Sequence, residues 1–591
     1  MRENSKKTKA EFAEEGLQKM KQLTVFAYLV CMLGVFPLYY KEQYYKIGDA
    51  KFGFFWKVSL GFLGIMLVCD FAKTVLKWVE QKSSNKARTL YKDNALEKNL
   101  SSQENTEKQE RKKLGVAFLK FLQKLSNLDY AVLIYAICVI LSYCFSDFKE
   151  FALKGAPGWE MGFCSQLIFV ALYFILSRQT LLESISVPTQ KSSKNKIVLS
   201  QRNFAKAILV IHLTSSALTF GLGILHRFDV DPLGMYEGLE LYQKVEFLST
   251  IGQATWFSGY VCTVLAIGMT IFYNSNRRWV RAVTGIYTII GFGILVTQNS
   301  DSAFIAIAGI LLLLGYFSLN NKQSWCRFLE IICLMWGTFG GIGILQKMFE
   351  EQRIPLDSLS QFLSQSIATW IMLAVSILLL VFYKYGCKSE VFWKRITREI
   401  YEDILLCIGA AVLIMSVFIY LNTKGYLWQW FGYHSTHPYL LFDYHWGSNR
   451  GSTWMVCWQA FVQMPLHQKL FGVGPDSLWA YFESVPEIKE FLYSLWGSLR
   501  VTNAHNEYLN HLLCYGLVGV TAWLAVLIGG IRYFYKKAKE NPVMIGFALC
   551  ITGYACHNIF CYQQVCATPI LFIVLGIGES LTKLKNFNTI K

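Results

Sequence analysis

An arginine, a histidine and an aspartate stand alone in stretches where almost nothing else can do chemistry. Arg450 lies in Trp446-Gly447-Ser448-Asn449-Arg450, ahead of Trp454 and Trp458, and His505 lies beside Asn506 just before a long apolar run. A guanidinium presents a rigid fork of donors that matches phosphate oxygens and stays charged at any accessible pH. An imidazole with an ordinary pKa near 6.5 accepts a proton from a hydroxyl at neutral pH. The alternative for Arg450 is a side chain that snorkels to lipid headgroups; for His505 it is a loop histidine that caps a helix together with Asn506. Gly472 and Gly474, followed by Pro475 and Asp476, read as a structural turn, because the third glycine of a dinucleotide fingerprint is missing. Residues 478–497 mix aromatics with acids and read as short amphipathic helices lying along an interface.

The composition says what must position these groups. Of 591 residues, 53% are hydrophobic and only 16% are charged, against roughly 25% charged in soluble domains. Runs of the ~20 apolar residues that cross a bilayer recur along nearly the whole length, so a large soluble domain is excluded. Such runs as Ala303 to Phe317 do not alternate, which selects helices over barrel strands. The fold class is therefore all-α and polytopic. About fourteen spans are expected, near 24–40, 55–78, 128–146, 163–177, 205–225, 256–273, 282–297, 303–319, 328–346, 366–383, 404–421, 510–531, 543–560 and 570–582.

The net charge of +17 would suggest nucleic acid in a soluble protein. Here the cations fall in alternate connections: Lys191, Lys194 and Lys196, then Arg277, Arg278 and Arg281, then Lys322 and Arg327, and finally Arg532 to Lys539. That pattern orients a membrane protein with both termini cytoplasmic and implies no nucleic-acid partner. The connection 79–127, with its Glu107 to Lys113 charge run, is expected to be a cytoplasmic loop without a core. Residues 422–509 become the longest extracytoplasmic loop, between the eleventh and twelfth spans, and hold both Arg450 and His505. Three regions are expected: spans of 1–281, a catalytic region of 282–531, and closing spans of 532–591. The cysteines lie mainly inside apolar spans and show no zinc spacing, so no metal or cofactor is expected; Cys561 and Cys566 share one short outer loop where a disulfide is one option.

The ordered set of Arg450, Trp454 and Trp458, then Pro465, Gly472, Gly474 and Pro475, then Ala504 to Leu509 and Gly516 to Gly519, resembles the O-antigen ligase and O-antigen polymerase family over residues 285–520. The resemblance implies an inverting, metal-independent glycosyltransferase of the bacterial plasma membrane. Its donor would be a glycan on undecaprenyl diphosphate and its acceptor a hydroxyl of a glycan, lipid or protein outside the membrane, with membrane lipids as further partners. His505 would be the catalytic histidine and Arg450 a diphosphate-binding arginine, with Trp454 and Asn506 beside them. One departure stands out: where the family often carries a second arginine, this chain reads Thr297-Gln298-Asn299-Ser300-Asp301-Ser302-Ala303. Either another cation, such as Arg353, Arg500 or Arg227, would then make the second contact or the donor is held differently, and Asp301 would orient His505, assist as base or cap two spans. The rival reading is a lipid-linked oligosaccharide flippase or another polytopic transporter, which would place working charges midway through spans; Glu330 and His212 are among the few candidates. The acceptor, which separates polymerase from ligase, is not legible, although the long inner connection tilts the choice toward polymerase.

Overall fold

A computed structural model describes residues 9–92, 123, 125–178, 201–387, 389–497 and 500–583. Most of the expected 79–127 loop, including Glu107 to Lys113, and the cations Lys191, Lys194 and Lys196 lie outside the described residues. Among those described, ten helices are long and apolar enough to cross a membrane and four more are shorter and apolar. In chain order they are α1 (Glu11–Leu38), α2 (Ile47–Glu80), α3 (Asn127–Phe145), α4 (Phe163–Ser177), α5 (Phe204–His226), α6 (Ala254–Asn274), α7 (Arg278–Thr297), α8 (Ser302–Ser318), α9 (Lys322–Met348), α10 (Ile367–Gly386), α11 (Trp393–Thr423), α12 (Glu507–Ala538), α13 (Pro542–His557) and α14 (Thr568–Thr582). Every stretch expected as a span falls on one of them. The chain is a multi-pass, helical membrane protein; among the described residues one small sheet pairs Phe247–Leu248 antiparallel with Gly252–Gln253.

Burial is uneven in a way that locates the core. The apolar window of α6 is 83% buried and that of α11 is 0% buried. Helix α6 packs on α7 and α13, α8 on α13, α3 on α12, and α4 on α14, so α6 and α13 form the centre. Because hydrocarbon supplies no hydrogen bonds, the serines and threonines on these helices return theirs to the preceding turn, as Thr263 does to Gly259 (2.8 Å) and Thr552 to Ala548 (2.8 Å).

The segment 424–506 is helical in five short pieces: Tyr426–Phe431, Trp446–Gln463, Leu466–Phe471, Leu478–Ser484 and Pro486–Trp496. The last two are short helices within the 478–497 stretch, where short helices were expected. Leu466–Phe471 packs on α12 and α3, and the Gly472 to Asp476 turn beyond it is a lock. Val473 N–H donates to Leu513 O (3.0 Å) and Gly474 N–H to Cys514 O (3.1 Å). Ser146 on the α3 side donates to Val473 O (2.6 Å). Asp476, buried, accepts the amides of Ala156 (2.8 Å) and Met161 (3.0 Å), and its burial pushes the carboxyl up to about 7.

The lock requires α12 to break at Gly516, where φ is 69° and ψ −173°, a region open essentially to glycine alone. A Cβ there would sit 2.3 Å from the Leu470 carbonyl, and one at Gly472 would sit 2.2 Å from Cys514. The two backbones therefore touch without side chains between them. Cys561 and Cys566 are both free and buried, so the disulfide option is not taken: the loop between α13 and α14 packs inward as part of the core. Replacing Gly516 by Ala is expected to lower stability by about 2–3 kcal/mol from strain and overlap together. Thermal unfolding in detergent, followed by size-exclusion recovery, checks this; an unchanged midpoint would contradict the lock.

Candidate active site

The sequence Asn503-Ala504-His505-Asn506-Glu507 explains its own shape. Asn503 Oδ1 accepts the His505 amide (3.1 Å) in an Asx-type turn, and Asn506 Oδ1 accepts the Leu509 amide (2.9 Å) as the N-cap of α12. Asn510, one turn into the helix, accepts the Ala504 amide (3.2 Å). Held from both sides, His505 takes φ 47°, an uncommon conformation for a residue with a Cβ. Its ring stands edge-on to Tyr562 at 5.3 Å. Among the described residues no hydrogen bond reaches its ring nitrogens.

Arg450 is delivered by a second unusual backbone. Gly447, Ser448 and Asn449 are all left-handed (φ 59°, 58° and 69°), and the right-handed helix to Gln463 starts after them. One guanidinium nitrogen, Nη1, donates back to Gly447 O (2.8 Å), whereas the buried Nε has no partner among the described residues. Trp454, one turn on, fixes this helix to the histidine strand: its indole N–H donates to Ala504 O (3.0 Å), and its ring packs on Trp446 and Phe560. Arg450 consequently lies within electrostatic reach of His505. Burial and that positive charge hold the His505 pKa down at about 4, so the imidazole is neutral throughout the physiological range.

The structure places Asp301 away from the role of orienting His505 by direct contact. Asp301 Oδ2 accepts the Tyr439 hydroxyl (2.7 Å), and its buried Oδ1 has no partner among the described residues. Burial first, then this hydrogen bond, raises the Tyr439 phenol to about 12, while Arg450 acts in the opposite direction. Tyr439 is thus bonded to the aspartate and within electrostatic reach of the arginine. The three cations offered as second contacts are engaged elsewhere. Arg227 is buried and spends its donors on the carbonyls of Thr297, Gln298, Lys244 and Val245. Arg353 pairs with Glu350 (3.1 Å), and exposed Arg500 lies over the Trp479 ring at 4.4 Å. Glu330, a candidate for the transporter reading, is paired with Arg281 and Arg327.

Sequence reasoning missed a buried polar chain behind these residues. His557 Nε2 faces Ser258 Oγ (2.6 Å) and Ser302 Oγ (3.0 Å), and Nδ1 faces Asn558 Oδ1 (3.0 Å). Because Asn558 Oδ1 can only accept, the proton sits on Nδ1, which leaves Nε2 as the acceptor facing the serines. The Asn558 amide then donates to the Glu507 carboxylate, which also accepts Tyr554 (3.3 Å). The chain joins Ser302, next to Asp301, to Glu507, two residues from His505. Its signal was present as a second His-Asn pair, His557-Asn558, at the end of another apolar run; nothing in the sequence marks Tyr439. Among the described residues no group of three or more His, Cys, Asp or Glu could hold a metal ion.

The low His505 value has two separable causes, which gives a direct check. Histidine-labelled protein followed by NMR, with the His505 signal assigned by its loss in His505→Ala, should show that imidazole titrating near pH 4. Arg450→Gln, which removes the repulsive charge and leaves the burial, should raise that midpoint toward 6.5 without reaching it. A midpoint that does not move would separate Arg450 from His505.

The chain has no match among curated proteins. Residues 356–524, which carry Arg450, Trp454, His505 and Asn506 but not Asp301, match the family model described as O-Antigen ligase. Over that stretch the chain is similar to the O-antigen ligase family.

Proposed function

We propose that this protein is an inverting membrane glycosyltransferase that moves a glycan from a polyprenyl diphosphate to an acceptor hydroxyl at the outer face of the bacterial plasma membrane. The observation that carries the reading is a half-buried arginine with unspent donors beside a neutral histidine, both held at the ends of apolar helices. In the reaction the acceptor hydroxyl gives its proton to His505 while its oxygen bonds to the anomeric carbon. The bond from that carbon to the diphosphate oxygen breaks in the same displacement, and the electron pair leaves with the diphosphate. Arg450 neutralises the charge that develops on the leaving group, the part a metal ion takes in other enzymes.

A base with a pKa near 4 is weak, and the donor itself corrects this. A diphosphate placed between Arg450 and His505 offsets the positive charge that depresses the imidazole, so its basicity rises when substrate is bound. The acid limb of kcat/KM, which reports free enzyme, is therefore expected near pH 4, and the acid limb of kcat, which reports the complex, at higher pH. Asp301 serves this reading as a polar neighbour of Tyr439 rather than as a second phosphate contact, and Trp454 and Asn506 as residues that position Arg450 and His505.

The test uses the full chain reconstituted in vesicles with a lipid-linked oligosaccharide and no added metal or ATP. His505→Ala is expected to lower transfer roughly 10²–10⁴-fold, and Arg450→Ala by about 10²–10³-fold. Arg450→Lys should recover only part of the loss, since an ammonium lacks the two-pronged geometry. Wild-type transfer by either alanine variant would overturn the assignment, and translocation without new glycosidic bonds would favour the flippase.

A further inference from the structure

The turn that carries Asp476 holds a second loop, which the chemistry described above does not use. Residues 155–162, just ahead of α4, take positive φ at Gly155 (99°), Gly158 (87°) and Glu160 (52°). Asp476 accepts the Ala156 and Met161 amides, and Glu160 O accepts the Ser165 hydroxyl (2.6 Å). A left-handed residue with a side chain persists where its surroundings over-determine it. What this loop presents is Trp159, partly exposed. The indole meets Trp256 at 5.0 Å and Tyr562 at 5.1 Å, at 85° and 84°, so neither ring stacks on its faces. The Tyr562 hydroxyl takes the Trp256 N–H (3.0 Å), and the Tyr562 ring stands edge-on to His505. Trp159 is therefore one aromatic ring removed from the histidine. Beside it in sequence, the buried Oε2 of Glu160 has no partner among the described residues.

A cavity opens next to this loop. Gly158 lies against the first turn of α2: its carbonyl is 3.0 Å from where a Cβ of Gly48 would be, and Asp49 Oδ1 is 4.0 Å from where its own Cβ would be. Asp49 also stands in the wall of a cavity of about 460 Å³, a volume in the range of small-molecule sites. Tyr39, Tyr45 and Phe54 supply aromatic faces there, and Lys46 and Lys57 supply cations. Lys41 and Glu42, in the same wall, pair with each other (3.1 Å). Among the described residues neither Asp49 nor Lys57 makes a hydrogen bond or ion pair.

An inverting displacement brings the incoming hydroxyl to the side of the anomeric carbon opposite the leaving diphosphate. Arg450 is tied to the histidine strand through Trp454 and Ala504, whereas the His505 ring itself faces Tyr562. The flank of Tyr562, Trp256 and Trp159 is thus the one left for the acceptor. Resting on the proposed glycosyl transfer, we infer that the acceptor is a glycan whose terminal sugar lies on Trp159, with Glu160 taking a hydroxyl, and whose preceding sugars occupy the cavity at the head of α2. The occupant follows from the mixture of groups. A pyranose offers a face of C–H bonds to an indole and a rim of hydroxyls to carboxylates and ammonium groups. A hydrocarbon chain would use the rings alone and leave Glu160, Asp49 and Lys57 unspent.

Full-length protein in vesicles separates acceptor from donor. The lipid-linked donor is held fixed while soluble oligosaccharides of one and of three repeats, freed from lipid by mild acid, are varied as acceptors. Trp159→Ala is expected to raise the acceptor KM by about tenfold at both lengths, through loss of the stacking face. Tyr45→Ala should raise it by about fivefold for the longer acceptor alone, since the cavity lies beyond the terminal sugar. The donor KM stays unchanged in both. Trp159→Phe keeps a ring against Trp256 and Tyr562 and should regain part of the loss. An unchanged acceptor KM in both Trp159 variants, or a donor KM that rises in step, overturns the platform. Transfer that prefers a serine- or tyrosine-bearing peptide to the oligosaccharides overturns the glycan as acceptor. Saturation-transfer NMR with the three-repeat oligosaccharide reads binding without turnover: His505→Ala should bind it as the wild type does, and Trp159→Ala should not. Equal binding by Trp159→Ala, or none by the wild type, overturns the inference, whereas failure of the catalytic reading shows as undiminished transfer by His505→Ala.

Discussion

In a bundle surrounded by hydrocarbon, a polar side chain that leaves water has to be satisfied by another one, and this chain gathers that obligation into one connected network. Ser258, Ser302, His557, Asn558, Glu507 and Tyr554 link α6, α8, α13 and the first turn of α12. Removing one member strands the next, since an unpaired buried donor or acceptor costs about 1–3 kcal/mol. The three helix ends that carry Ser302, Glu507 and Asn558 are therefore mutually fixed, and the residues beside them in sequence share that rigidity: Asp301 directly precedes Ser302, and His505 lies two residues before Glu507.

Rigidity of this kind is what lets backbone conformations that are individually unfavourable persist. His505, Ser448, Asn449, Asn299 and Asp476 all have positive φ, at a cost of order 1–3 kcal/mol each for residues with a side chain. They fall immediately beside Asp301 and Arg450, at His505 itself, and at the turn that locks the loop to α3 and α12. Five of the eleven described non-glycine residues with positive φ thus lie at these places, where the Gly472 and Gly516 contact and the buried network fix the neighbouring backbone.

The electrostatics follow from the same placement. Only one of the cations offered for a diphosphate, Arg450, has unspent donors next to His505. Arg227 is consumed by backbone carbonyls, and a carboxylate stands where a second arginine was expected. Tyr439 is bonded to that carboxylate and lies within electrostatic reach of Arg450. On the proposed reading, the site has a cationic half for the leaving group and an anionic half suited to hydroxyls.

The apolar helices were legible in the sequence because the bilayer sets one length and one composition, and every expected stretch lies on an apolar helix. The Gly472 to Asp476 turn and the helices of 478–496 were legible for similar local reasons: glycine spacing and amphipathic pattern act over a few residues. So were Arg450 and His505 as candidates, by residue type alone. Other features were not local. Asp301, for which orienting His505, assisting as base and capping two spans were all open, accepts a hydrogen bond from Tyr439, 138 positions away. Cys561 and Cys566 remain free because their loop turns inward. The network through His557 and Glu507 and the tie from Trp454 to Ala504 join positions 50 to 299 residues apart. The sequence by itself determined how many residues must sit in hydrocarbon and which few could do chemistry, because burial and charge are properties of single residues. Only the tertiary structure decided which of those few meet, because a hydrogen bond or a charge acts across a few ångströms of space, without regard to distance along the chain.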